Sequence, residues 1–154
     1  MPLPNGYLLD TNIVVALVRD NDLGKYLDRI YRLTAGTDIF YVSVVLLGEI
    51  RALAQKLIWG PAKQASMESI LLPFRVIDIN FEDVIQAYAD IDAHSDAIGH
   101  KMGKNDLWIA STARVFNLTV LTTDSDFDHL HDPHPTRPWR VDREWVDPGS
   151  KLTP

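Results

Sequence analysis

The chain has no cysteine among its 154 residues. That excludes disulfides and thiolate chemistry, and any metal must be held by oxygen or nitrogen ligands. It also has no apolar run near the ~20 residues that a membrane-spanning helix needs. The start, MPLPNGYLLDTN, lacks a basic segment followed by a long apolar core, so no signal peptide is expected. A cytoplasmic location is the expectation. Internal repeats, low-complexity tracts and Gly/Ser linkers are missing too, which leaves one domain over residues 1–146 and an irregular tail over 147–154.

Excess positive charge is also lacking. The formal net charge is −6 and the pI ≈ 5.2, which taken alone argues against a nucleic-acid partner. A cluster of catalytic carboxylates makes any chain more acidic, however, and bound divalent cations reverse the local field. Net charge therefore leaves the partner open.

Hydrophobic residues make up 46% of the chain, enough for one substantial core. Their pattern alternates between short apolar runs and helical periods. Tyr7-Leu8-Leu9 reads as a strand ending at Asp10, and Thr11 or Asn12 opens a helix to Val18. A helix is expected from Leu23 to Leu33, with Gly36 as its stop, and a strand over Ile39–Val42. Ser43 then caps a helix with Leu46, Ile50, Leu53 and Leu57 on one stripe, ending at Gly60-Pro61. A helix over Ala62–Leu72, a strand over Arg75–Ile79 and a helix over Phe81–Ile91 follow. His94 to Gly103 reads as a loop, Asn105–Asn117 as an apolar helix, Leu118–Thr122 as a strand and Trp139–Val141 as a last strand. Strands alternating with helices imply an α/β sandwich with a parallel sheet covered on both faces.

In open α/β sheets, sites form beyond the carboxyl ends of the strands. Asp10 follows the first strand directly and Asp124 follows Leu118–Thr122. Glu49 lies in the early turns of its helix, flanking the apolar stripe. Asp106 opens a helix after Gly103-Lys104-Asn105. Each has an ordinary structural role as well: a turn or cap for the aspartates after strands, a helix-dipole partner for Asp106, a solvated neighbour of Arg51 or Lys56 for Glu49. Together they form an oxygen-only ligand set suited to Mg²⁺ or Mn²⁺. Such ions polarise phosphate and generate a hydroxide-like nucleophile, so hydrolysis of a phosphate ester is the chemistry implied.

The words LLDTNIVVAL, VSVVLLGEI, GKNDLWIAS and LTTDSDF, in this order from residue 7 to about 130, resemble those of PIN-domain nucleases. The likeness is greatest to the VapC-like toxins of toxin–antitoxin pairs. The resemblance implies a three-layer α/β/α sandwich with a mainly parallel sheet. It makes Asp10, Glu49, Asp106 and Asp124 the metal-binding acids, with Thr11, Asn12 and Ser43 in support. It further implies an Mg²⁺- or Mn²⁺-dependent endoribonuclease, an antitoxin partner and a homodimer. Asp126 departs from the pattern: the fourth ligand is Asp124, Asp126 or both through water, with Asp124 favoured by its place at the strand end. Lys101 and Lys104 flank Asp106 as candidate RNA phosphate contacts.

Other signals fail or weaken. Asp124-Ser125-Asp126-Phe127-Asp128 imitates an EF-hand loop, but His129 and Pro135 stand where Gly and Glu are needed. A haloacid dehalogenase-type phosphatase also places an Asp after the first strand, but it needs a second Asp where this chain has Asn12. His129, His131 and His134 are better explained by a His/Pro-rich loop than by a transition-metal site. A non-catalytic PIN scaffold, or a nuclease of RNA maturation or DNA, stands as the alternative.

Overall fold

The computed structural model describes residues 6–154; residues 1–5, which open the stretch where no signal peptide is expected, lie outside the described residues. Five strands form one parallel sheet in the order β3-β2-β1-β4-β5. They are β1 (Tyr7–Leu9), β2 (Phe40–Ser43), β3 (Arg75–Ile77), β4 (Thr119–Thr122) and β5 (Arg143–Trp145). The helices are α1 (Thr11–Arg19), α2 (Asp22–Tyr31), α3 (Val44–Lys56), α4 (Pro61–Leu71), α5 (Glu82–Ala97) and α6 (Lys104–Phe116). None among the described residues is long and apolar enough to cross a membrane.

Successive strand side chains point to opposite faces, and this alternation builds two cores. Leu9, Phe40, Val42 and Leu121 join Ile13, Leu17, Leu27, Leu46 and Ile50 on the face covered by α1 to α4. Leu8, Tyr41 and Val120 join Val84, Ile91, Leu107 and Ile109 on the face covered by α5 and α6. The result is an α/β/α sandwich. Its central strands β2, β1 and β4 are largely apolar on both sides because both sides are buried, whereas the edge strands β3 and β5 are partly exposed and carry Arg75, Arg143 and Glu144.

From β1 the chain proceeds to β2 and β3 on one side, then crosses through α5 and α6 to β4 on the other. The boundary between β1 and β4 is therefore the topological switch point, where a crevice opens at the carboxyl ends of the strands. Asp10 extends the pairing there through its backbone N–H, which donates to Leu121 O at 3.0 Å.

Several boundaries differ from the sequence expectation. The α2 helix stops at Arg32, which takes the left-handed conformation (φ 54), rather than at Gly36. Its Ile30 is 56% exposed, whereas Leu27 is fully buried. The α3 helix ends at Lys56, leaving Leu57 48% exposed, while Gly60 and Pro61 begin α4 instead of closing α3. The expected loop from His94 is helical as far as Ala97, because side chains there have tertiary partners. Ser95 is fully buried and its hydroxyl lies 2.8 Å from His129 Nε2, and the His94 ring stacks on Trp139 at 3.6 Å. The last strand is Arg143–Trp145, not Trp139–Val141; Val141 is buried, but it is the later segment that pairs with β4.

Candidate active site

Asp10 combines a structural and a site role. It is the N-cap of α1, with Oδ1 accepting from Thr11 N at 2.8 Å, and it is only 4% exposed. Its Oδ2 accepts from the Thr122 hydroxyl at 2.7 Å. Thr122 Oγ1 in turn accepts from Asp124 N at 2.9 Å. Thr11 uses its hydroxyl elsewhere, donating to Glu49 Oε1 at 2.9 Å. Asn12 Oδ1 accepts from Thr123 N at 3.4 Å, tying the start of α1 to the segment after β4.

These contacts bring separated segments to one place. Asp10, Thr11, Asn12, Val15, Glu49, Asp106 and Asp124 line a single open cleft of ≈ 270 Å³ at the switch point. Asp126 lies within hydrogen-bonding reach of both Asp106 and Asp124. Ser43 is fully buried and caps α3 by accepting from Val45 N at 3.1 Å, so it supports the helix carrying Glu49 without reaching the cleft. Lys101 and Lys104 are exposed and do not line the cleft. Thr122 escapes the sequence reading, since its two polar partners are apparent only once β1 and β4 are adjacent.

Asp10, Asp106 and Asp124 sit in an environment that favours the proton. Burial raises Asp10 to about 6, the Glu49 and Asp124 charges add to the rise, and the Thr122 and Thr11 hydrogen bonds oppose it. Burial likewise raises Asp106 to about 7, reinforced by Asp10 and Asp126. Asp124 is raised by burial and then by Asp126. A divalent cation would relieve this mutual repulsion, and the oxygen-only donor set matches a hard ion. Among the described residues, no three His, Asp or Glu side chains form a group that could hold a metal by themselves. The fit is thus to an ion that keeps several waters and takes one or two carboxylates directly, as Mg²⁺ commonly does.

The PIN-domain family profile matches residues 7–132. The chain belongs to the PIN-domain family. Its fold recurs in solved structures over nearly the whole length. A chain of DNA-bound VapBC from Salmonella typhimurium matches with a TM-score of 0.73 at 20% identity, covering 92% of this chain and 98% of that one. One of VapBC2 from Rickettsia felis, bound to a promoter DNA fragment, matches at 0.70 and 22% identity, covering 90% and 97%. FitAcB from Neisseria gonorrhoeae matches at 0.65 and 25% identity, covering 92% and 97%. No curated protein sequence matches significantly. The four words that carry the PIN resemblance thus lie in a chain whose family and fold are those of a PIN domain.

Proposed function

We propose that this PIN domain is a divalent-metal-dependent endoribonuclease acting as the toxin of a toxin–antitoxin pair. The observation that carries the reading is the cleft at the β1–β4 boundary, where Asp10, Glu49, Asp106 and Asp124 meet from four separate segments. The fold shared with VapBC toxin–antitoxin structures supports an antitoxin as partner. Homodimerisation is part of the same proposal.

Mg²⁺ or Mn²⁺ held here would supply electrophilic activation of a phosphodiester and of water. The chain's own contribution is placement. Asp10 is fixed at both oxygens by Thr11 N and Thr122 Oγ1, and Glu49 is oriented by Thr11 Oγ1. Asp106 projects from the first turn of α6, and Asp124 sits on the turn just past β4. Asp126, beside both, is an alternative or water-mediated ligand. Lys101 and Lys104 are the proposed phosphate contacts outside the cleft.

The test is cleavage of single-stranded RNA by Asp10→Asn and Asp106→Asn in the presence of Mg²⁺ or Mn²⁺. Each substitution is expected to lower the rate at least about 100-fold by removing a ligand. Undiminished cleavage by both purified variants sinks the site assignment. Growth arrest on expression of the chain alone, relieved by a protein encoded beside it, is the expected signature of the toxin role.

A further inference from the structure

We infer that Thr122 is a positioning residue of this site, its hydroxyl holding the Asp10 carboxylate and the turn bearing Asp124 in one arrangement. The inference rests on the reading of the cleft as a metal-dependent nuclease site. Thr122 is the last residue of β4 and is fully buried. A hydroxyl has one hydrogen to donate and lone pairs to accept. Here the hydrogen goes to Asp10 Oδ2 at 2.7 Å, and a lone pair takes Asp124 N–H at 2.9 Å. Both partners are acids of the cleft, 112 residues and 2 residues away in sequence.

The consequence for Asp10 is geometric. With Thr11 N on Oδ1 and Thr122 Oγ1 on Oδ2, the carboxylate cannot turn about its axis without breaking a bond. Each oxygen keeps further acceptor capacity for a cation or its waters. Thr122 is β-branched, so few side-chain rotamers compete with the one that points the hydroxyl at Asp10. On the other side, the bond from Asp124 N closes a local turn of the kind Ser and Thr hydroxyls support, fixing where the chain leaves β4. Valine would fill the same volume and suit the strand. What the hydroxyl adds is confined to Asp10 and Asp124. Without it, a buried carboxylate oxygen would face a methyl group and Asp124 N–H would lose its partner.

Thr122→Val and Thr122→Ser in the full chain test this, using calorimetric titration with Mn²⁺ at fixed pH and RNA cleavage, with thermal denaturation as a check on folding. Thr122→Val is expected to weaken Mn²⁺ binding about 10–100-fold, the range typical of groups that orient a metal ligand. Thr122→Ser keeps the hydroxyl and is expected to restore affinity to within about threefold of the unsubstituted chain. Thr122→Val binding Mn²⁺ with unchanged affinity overturns the inference, and so does Thr122→Ser as impaired as Thr122→Val. Should Thr122→Val not fold, Thr122→Ala carries the same comparison with Thr122→Ser. Asp10→Asn titrated in parallel separates the two levels. If it binds Mn²⁺ unchanged, the metal-site reading itself fails. If it loses binding while Thr122→Val does not, the Thr122 assignment alone fails.

Discussion

Asp10 and Asp106 are carboxylic acids that the fold holds where a proton is welcome. Their values, about 6 and about 7, lie above the ordinary 3.8. The folded chain therefore binds protons more tightly than the unfolded chain over this interval. Stability from these groups is complete below the unfolded value and is lost as pH rises through about 6 and then about 7. In EDTA, the melting temperature is expected to fall from pH 5 to pH 8 by at least about 2 °C through these groups, given the usual conversion for a domain of this size. Asp106→Asn should flatten that decline and melt higher than the unsubstituted chain at pH 8. Saturating Mn²⁺ should recover the loss at high pH, since binding only the folded state stabilises it. An Asp106→Asn profile that parallels the original would show that this acid is not under the proposed pressure. At this scale the sequence is informative unevenly. Asp10 and Asp124 are legible because strand ends are legible, and Asp106 because it opens an apolar helix. Thr122 is not, because a threonine in a strand is unremarkable until its partner, Asp10, is seen across the β1–β4 boundary.

Among the elements, some boundaries set by local chemistry are legible, whereas Gly36 and Gly60-Pro61 mislead at the ends of α2 and α3, and boundaries set by distant partners leave no local sign. Ser43 caps α3 through a bond to Val45 N, two residues away, and it is readable as a cap. The last turns of α5 depend on Ser95 meeting His129 and His94 meeting Trp139, which no local pattern announces. The sequence suggests the final strand over Trp139–Val141; register with β4 instead selects Arg143–Trp145. The α1–α2 pair shows a constraint of the same tertiary kind. A Cβ placed on Gly24 would lie 2.1 Å from Ala16 O and 2.7 Å from Ala16 C, both backbone atoms. The clash has no flexible side chain to absorb it, so α2 must move off α1. Gly24→Ala is therefore expected to destabilise the chain by about 1–3 kcal/mol despite alanine's better helix propensity. Thermal denaturation checks the sign: an unchanged or higher melting temperature would mean that the two helices separate freely.

At the scale of the whole molecule, the sheet edge beside the site is fastened from far away in sequence. Glu144, in β5, accepts hydrogen bonds from Tyr7 of β1 at 2.9 Å and from Tyr31 of α2, 137 and 113 residues distant. Burial, followed by the Glu144 hydrogen bond and charge, raises both phenols above their ordinary value, so they remain donors through neutral pH. The strand they hold braces β4: Leu121 pairs with Glu144, Thr122 with Trp145, and Val146 N donates to Thr122 O at 2.8 Å. Glu144→Leu removes both hydrogen-bond acceptors while leaving an apolar side chain. Hydrogen bonds to a charged group contribute about 1.5–3 kcal/mol, and the partial exposure of Glu144 favours the low end. Losing both bonds at about 1.5 kcal/mol each, about 3 kcal/mol together, corresponds to roughly 6–12 °C in a domain of this size. Cleavage per folded molecule well below the melting temperature should be nearly unchanged, because Glu144 does not line the cleft. An unaltered melting temperature would show that β5 holds its place without the tyrosines. A large activity loss with the fold intact would instead place the brace of β4 among the determinants of the site.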